Sequence, residues 1–229
     1  MLPPSENQSA VAKNVQSTSK TTIYTNTNSV YLSSKRLLDF LAAFIGIILL
    51  SPFLLLTAIC IKVEDSKGPV LFKQERVGKN GKTFFMYKFR SMVSNAEELK
   101  KQLLAHNEVD GPVFKIKEDP RVTKVGKFIR RTSIDELPQL INVLKGEMSL
   151  VGPRPALPEE VDQYSVYERQ RLKVLPGLTC YWQISGRSNI SFYEWMELDI
   201  KYIRERNFWL DLKLIFKTVL VLFGSKDAY

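Results

Sequence analysis

The chain has 229 residues, room for one ordinary domain plus appendages. Its 33 Lys and Arg against 24 Asp and Glu leave a net charge of +9, which suits an anionic partner: nucleic acid, anionic lipid headgroups or phosphorylated substrates. Cys60 and Cys180 lie far apart with no CxxC spacing, so no disulfide framework or zinc site follows, and the single histidine, His106, leaves little for a His-based triad.

Residues 1–30 are dominated by Ser, Thr, Asn and Gln with almost no apolar periodicity. Such a segment buries too little surface to offset its ordering entropy and reads as a disordered tail, with no apolar h-region of a signal peptide. The domain division drawn from this places the tail at 1–33, a membrane helix at 34–62 and the catalytic domain at 63–229.

The hydrophobic segment runs from Leu37 to Ile61. As one straight helix it would reach about 38 Å, more than the roughly 30 Å hydrocarbon core. Asp39 lies inside it and needs a partner, for which Lys35 and Arg36 are at hand. Pro52, preceded by Ser51, falls near the middle and is expected to kink or break the helix. Lys35 and Arg36 precede the segment, and Lys62, Lys67 and Lys73 follow it, so the positive-inside rule gives no single orientation for a span. The residues alone leave two readings: a re-entrant helix with both ends on one face, or a tilted, kinked transmembrane helix.

Beyond Gly68 the pattern turns soluble. PVLFKQERV and KTFFMYKFR flank Gly78-Lys79-Asn80-Gly81, a strong hairpin signal. A basic, aromatic-laced hairpin is also a feature of single-strand binders. Here the aromatics alternate as core-facing strand residues do and no RNA-binding signature occurs, so nucleic acid is set aside. Helices are expected at SNAEELKKQLLA, with a Ser94–Glu97 capping box, at 122–131, and at 158–173. Pro176-Gly177 reads as a turn, LTCYWQI as a strand and SGRSNI as a polar loop. A further helix opens on a Ser191–Glu194 capping box. The last apolar stretch, FWLDLKLIFKTVLVLF, carries Asp211, Lys213 and Lys217. It fits either an amphipathic helix at the membrane interface or a core helix.

The most informative stretch is RRTSIDELPQLINVLKGEMSLVGPRP, residues 130–155. Leu137, Leu140, Ile141 and Leu144 recur at helical spacing. Pro138 must lie in the first turn, Ser133 and Glu136 fit a capping box, and Gly146 stands at the helix end. Asp135 and Glu136 would then sit at a positive helix terminus that favours ionised carboxylates and attracts phosphate, with arginines on both sides. The plain alternative is that both acids are only capping residues.

That stretch closely resembles the signature of the bacterial sugar transferases, the monotopic polyprenyl-phosphate phosphoglycosyl transferases. The resemblance extends over roughly 34–223 and includes QERVGKNGKTFFMYKFRSM at 74–92, DPRVTKVGKFIRRTSIDELPQL at 119–140 and PGLTCYWQISGRS at 176–188. It implies an α+β, mainly helical fold: a re-entrant membrane helix with its break at Ser51-Pro52, and a small cytoplasmic-face catalytic domain with a β-hairpin and interfacial amphipathic helices.

It further implies transfer of hexose-1-phosphate, glucose or galactose, from a UDP-sugar to undecaprenyl phosphate at the bacterial inner membrane, with release of UMP. The GPVFKIKEDPRVT block is the form associated with exopolysaccharide and capsule synthesis. By resemblance Asp135 is the nucleophile that forms a phosphosugar intermediate, and Glu136 holds Mg²⁺. Arg130 pairs with the nucleophile or its phosphate, Arg154 offers its guanidinium to phosphate, and Lys88, Arg90 and Arg187 contact nucleotide, sugar or phosphate. Cys180 stands where the family pattern GLTGWAQV has glycine, which puts fine substrate contacts in doubt. Rival readings are a polyprenyl-phosphate glycosyltransferase releasing UDP and a non-enzymatic membrane-tethered lipid-binding module. The sugar, the base and assembly into a homo-oligomer are left open by the sequence.

Overall fold

In the computed structural model, residues 23–103, 116, 119–185 and 190–224 are described. His106 and Arg187 lie outside these residues. Helix α1, Ser29–Glu64, opens on Asn28, whose side chain accepts from the Val30 and Tyr31 amides. Among the described residues it is the one helix long and apolar enough to cross a membrane. It is longer than the apolar segment because its first two turns are docked on the domain. Within the expected tail, Ile23 is buried in a core cluster, and its amide donates to Gln170 Oε1 at 2.7 Å. Residues 29–33, placed in the expected 1–33 tail, belong to α1.

Helical structure runs through Pro52 without interruption. Proline lacks the N–H that would bond the carbonyl four residues back, that of Ile48. The Ser51 hydroxyl donates to that carbonyl at 2.8 Å, so the orphaned acceptor is satisfied within the helix. Asp39 does not pair as expected. Lys35 is taken by Asp211 at 2.9 Å, and the Asp39 carboxylate accepts from the Leu150 amide at 2.9 Å.

The hairpin forms as read. Strands β1, Leu71–Val77, and β2, Thr83–Phe89, pair antiparallel with Gln74 opposite Met86, and Asn80 takes the left-handed conformation in the turn. Helix α2, Ala96–Leu103, follows, but the expected Ser94 cap is diverted: the Ser94 amide and hydroxyl engage Asp65. Helix α3, Lys124–Arg131, is capped by Thr123.

The segment after Arg131 departs from expectation. Ser133 is left-handed (φ 56°) and makes no side-chain cap, so the Ser133–Glu136 capping box does not form. Residues Ile134–Gln139 form a 3₁₀ turn that passes into the short helix α4, Leu140–Lys145, ended by left-handed Gly146. Tightening the first turn rotates the stripe: Leu140 and Val143 are buried, while Ile141 is exposed.

Strand β3, Ser149–Val151, was not anticipated; three residues carry too little alternation to detect. It pairs in parallel with β4, Gly177–Thr179. The helix expected at 158–173 divides into α5, Pro158–Asp162, and a 3₁₀ turn, Glu168–Lys173. LTCYWQI is a strand only to Thr179 and continues as helix α6, Tyr181–Ile184. Helix α7, Phe192–Glu205, carries the expected Ser191–Glu194 capping box.

Helix α8, Phe208–Gly224, combines the two readings of its sequence. Asp211 and Leu214 face the core, and Trp209, Phe216, Val219 and Leu220 are exposed. Buried Asp211 is the node that ties the termini together. It accepts from Lys35 and from the Tyr31 and Tyr202 hydroxyls at 2.7 to 2.9 Å. Ion and hydrogen-bond partners on two other helices, α1 and α7, offset the desolvation of this carboxylate.

Both ends of α1 pack on the same domain. Near its start, Ala43 joins Met86, Leu140, Val143 and Met148 in one apolar cluster. Near its end, Ile61 joins Phe89 and Ile129, and Glu64 accepts from the Lys124 and Val125 amides. The exposed side of its middle is apolar, with Ile48, Leu49, Phe53 and Leu56 more than half exposed. So large an apolar surface needs a cover other than water.

Candidate active site

The hairpin is the floor of the site. Because side chains alternate along a strand, Gln74, Arg76, Met86 and Lys88 share one face. That face receives the 3₁₀ turn carrying Asp135 and Glu136. Asn142, fully buried on α4, fastens the two parts: its side chain donates to Phe85 O at 2.8 Å and accepts from Tyr87 N at 3.1 Å. An amide side chain thus fills the outer hydrogen-bonding edge of β2 and sets the acids over the strands. From the other side, Arg36 of α1 donates to the Val143 and Leu144 carbonyls at 2.6 and 2.8 Å, satisfying the last turn of α4.

Lys88 Nζ lies 2.7 Å from Glu136 Oε1. Asp135 is buried, and burial lifts its carboxyl to about 6; Lys88, and less so Arg130, oppose the rise, while Glu136 adds to it. A positive helix terminus favours the ionised form, but here burial pulls the other way and desolvation outweighs the short 3₁₀ turn. Arg130, exposed in the last turn of α3, acts electrostatically on both Asp135 and Asp119.

Arg90 does not join this group. Its Nη1 bonds the Asp65 carboxylate at 2.8 Å and its Nη2 the Asp65 carbonyl at 2.6 Å. The Asp65 carboxyl is held below its usual range by the Lys67 amide and, more weakly, by Arg90. Arg90 thus closes the end of α1, where it meets both the carboxylate and the carbonyl of Asp65.

Arg154 sits half-buried in the loop after β3. A close backbone crossing places that loop: a side chain on Gly177 would meet Gly152 N at 2.1 Å, so only glycine lets the two segments touch. Sequence reading missed Arg76, Asn142 and Trp195. Arg76 is buried on β1, its side chain donating to Pro155 O at 2.9 Å, and burial, with Arg154 nearby, lowers its proton affinity to about 10. Strand alternation through QERV could have put Arg76 and Lys88 on one face; nothing local marks the other two.

Among the described residues no three His, Cys, Asp or Glu side chains gather as a metal cluster. Mg²⁺ requires fewer, since it commonly takes one or two carboxylates with substrate phosphates and water, and the adjacent Asp135 and Glu136 fit that donor set.

A hairpin face bearing Arg76 and Lys88 thus lies under two adjacent acids, in a domain docked on a long apolar helix. The family model for bacterial sugar transferases matches residues 30–225, and the chain belongs to that family. It is 49% identical over 199 residues to galactosyl transferase CpsE of Streptococcus agalactiae, covering 85% of this chain and 43% of that one. It is 42% identical over 199 residues to undecaprenyl-phosphate galactose phosphotransferase of Salmonella typhimurium, covering 85% and 41%. The chain spans less than half the length of those two relatives. With exopolysaccharide production protein ExoY of Sinorhizobium fredii it is 38% identical over 200 residues, covering 86% of this chain and 88% of that one.

Proposed function

We propose that the chain is a phosphoglycosyl transferase that moves hexose-1-phosphate from a UDP-hexose to undecaprenyl phosphate, releasing UMP and priming exopolysaccharide or capsule synthesis. The observation that carries this is the buried Asp135 carboxylate beside the Lys88–Glu136 pair, in a chain of the sugar transferase family. Two related proteins, an undecaprenyl-phosphate galactose phosphotransferase and a UDP-glucose:undecaprenyl-phosphate glucose-1-phosphate transferase, supply galactose and glucose as sugars and undecaprenyl phosphate as acceptor.

In the first step an Asp135 oxygen attacks the phosphorus that bears the sugar. The bridging P–O bond breaks and its electron pair leaves with UMP. In the second, an undecaprenyl-phosphate oxygen attacks the same phosphorus and the Asp135 carboxylate departs, leaving undecaprenyl diphosphate-sugar. Both nucleophiles are anions, so neither step needs a general base; positioning and charge neutralisation suffice. Lys88 and Arg130 supply positive charge beside Asp135, and Arg154 and Arg187 are assigned to phosphate, nucleotide or sugar. Glu136 would hold Mg²⁺ together with substrate phosphates, and the ion would supply charge neutralisation on the diphosphate.

The membrane reading is a re-entrant α1 at the cytoplasmic face of the bacterial inner membrane, with the exposed side of α8 at the interface. What supports it is that both ends of α1 bind one domain while its middle is exposed and apolar. A straight span would put those ends on opposite faces.

The test is incubation of detergent-solubilised protein with UDP-hexose labelled in its sugar phosphate, without lipid acceptor. Label should attach to wild-type protein and be lost in Asp135→Asn, and UMP should be the released nucleotide. Released UDP, or no adduct together with intersecting double-reciprocal lines, would refute the two-step transfer.

A further inference from the structure

Four consecutive carbonyls around Arg154 are held by three separate parts of the chain. Pro153 O accepts from Gly177 N at 2.8 Å, Arg154 O from Arg171 Nη2 at 2.8 Å, Pro155 O from Arg76 Nη1 at 2.9 Å, and Ala156 O from Val77 N at 2.8 Å. This loop has no freedom left in its backbone. Its one long side chain is Arg154, and among the described residues no carboxylate lies within ion-pair distance of it.

The guanidinium lies instead 5.3 Å from the centre of the Trp195 ring, and the Arg171 guanidinium lies 5.1 Å from the same ring. Two cations on one ring would repel each other, but Arg171 is neutralised by Asp199 at 2.5 Å and also donates to the Tyr164 hydroxyl at 2.6 Å. Arg171 and Asp199 are both wholly buried. A buried ion pair is a poor source of stability, and this one instead fixes a ring and a loop carbonyl. Trp195 is itself packed against Trp182 and Phe192, at 5.5 and 6.2 Å between ring centres.

We infer that Trp195 is a positioning residue for Arg154, its ring face holding the guanidinium in place to receive a substrate phosphate, with Arg171 and Asp199 fixing the ring and the loop beneath it. The inference rests on the reading of Arg154 as a phosphate ligand. A long, flexible side chain loses rotamer freedom when it binds, and a cation held on an aromatic face has already lost much of it. A guanidinium with no carboxylate to claim it keeps its donors for phosphate oxygens.

The experiment is a double-mutant cycle on the full chain in detergent, with Arg154→Ala, Trp195→Leu and the two combined, and Trp195→Phe as the conservative control. Two arms separate the source of the phosphate. Affinity for UDP, measured by calorimetry, reports the donor, and KM for undecaprenyl phosphate reports the acceptor. Trp195→Leu should weaken binding on the order of tenfold in the same arm that Arg154→Ala weakens. The double mutant should be no weaker than Arg154→Ala alone, and Trp195→Phe should keep most of the affinity. Losses that multiply in the double mutant, or that fall in different arms, would show that Trp195 acts independently of Arg154 and overturn the inference. Arg154→Ala silent in both arms would overturn the phosphate role of Arg154 and the positioning role with it, leaving the Asp135 adduct as a separate matter. A purely structural Trp195 would lower the melting temperature equally in both Arg154 backgrounds and still multiply the losses.

Discussion

Lys88 Nζ lies 2.7 Å from Glu136 Oε1, and the same ammonium is the strongest influence opposing the burial of the Asp135 carboxyl. One cation on the hairpin therefore serves both acids of the turn above it. Its removal has a direction that can be stated for each.

Lys88→Met should raise the Asp135 pKa above its value of about 6, because the largest opposing charge is gone. The acid limb of the pH–rate profile should move upward, so turnover falls more at pH 6.5 than at pH 8.5. An unmoved limb would remove Lys88 from control of Asp135.

Asp135→Asn should lower turnover by at least about 10³-fold, since losing a covalent route removes several kcal/mol of barrier reduction at 1.4 kcal/mol per factor of ten. The same change should stabilise the metal-free fold. Burial raises the Asp135 pKa from 3.8 to about 6, so its stabilising contribution is fully present below about pH 4 and is lost as pH rises through 6. At pH 7 the mutant should gain on the order of 2 kcal/mol. Thermal unfolding in EDTA at pH 4 and pH 7 checks this; a gain at pH 4 as large as that at pH 7 would contradict it.

Arg36→Met should lower stability by about 2 kcal/mol, because two carbonyls at the end of α4 lose a charged donor. The melting temperature in detergent should fall by roughly 4–8 °C. Arg36 also connects the membrane helix to the helix that follows the acids, so kcat should fall with the fold still assembled.

The topology is open to chemical labelling. Cysteines introduced near residues 33 and 66, after Cys60 and Cys180 are replaced, should both react from the cytoplasmic side with a membrane-impermeant thiol reagent. Replacing Ser51 and Pro52 with Ala and Leu restores the missing N–H to the Ile48 carbonyl. It should favour an ordinary span and move one flank across the bilayer. Labelling from opposite sides in the otherwise native chain would instead establish an ordinary span.

Local chemistry along the chain determined the elements whose cause is local. The Asn80 turn, the helix read at 122–131, the Ser191–Glu194 box and the Gly146 terminus follow from a few adjacent residues, and all formed as expected. The acids of the site were also visible in the sequence, because Asp135, Glu136 and Pro138 crowd one turn. Tertiary structure alone decided what each charge meets. Ser133 and Glu136 had the spacing of a cap, yet Lys88 on a distant strand offered Glu136 a full charge, and the left-handed Ser133 let the turn swing toward it. Asp39 and Lys35 had the spacing of a helical ion pair, yet Asp211 and the Leu150 amide were better placed. Arg90, matched by resemblance to a phosphate- or nucleotide-side residue, meets Asp65 at a helix end. A side-chain charge is a long-range, non-periodic interaction, so its partner depends on which segments the apolar packing brings together.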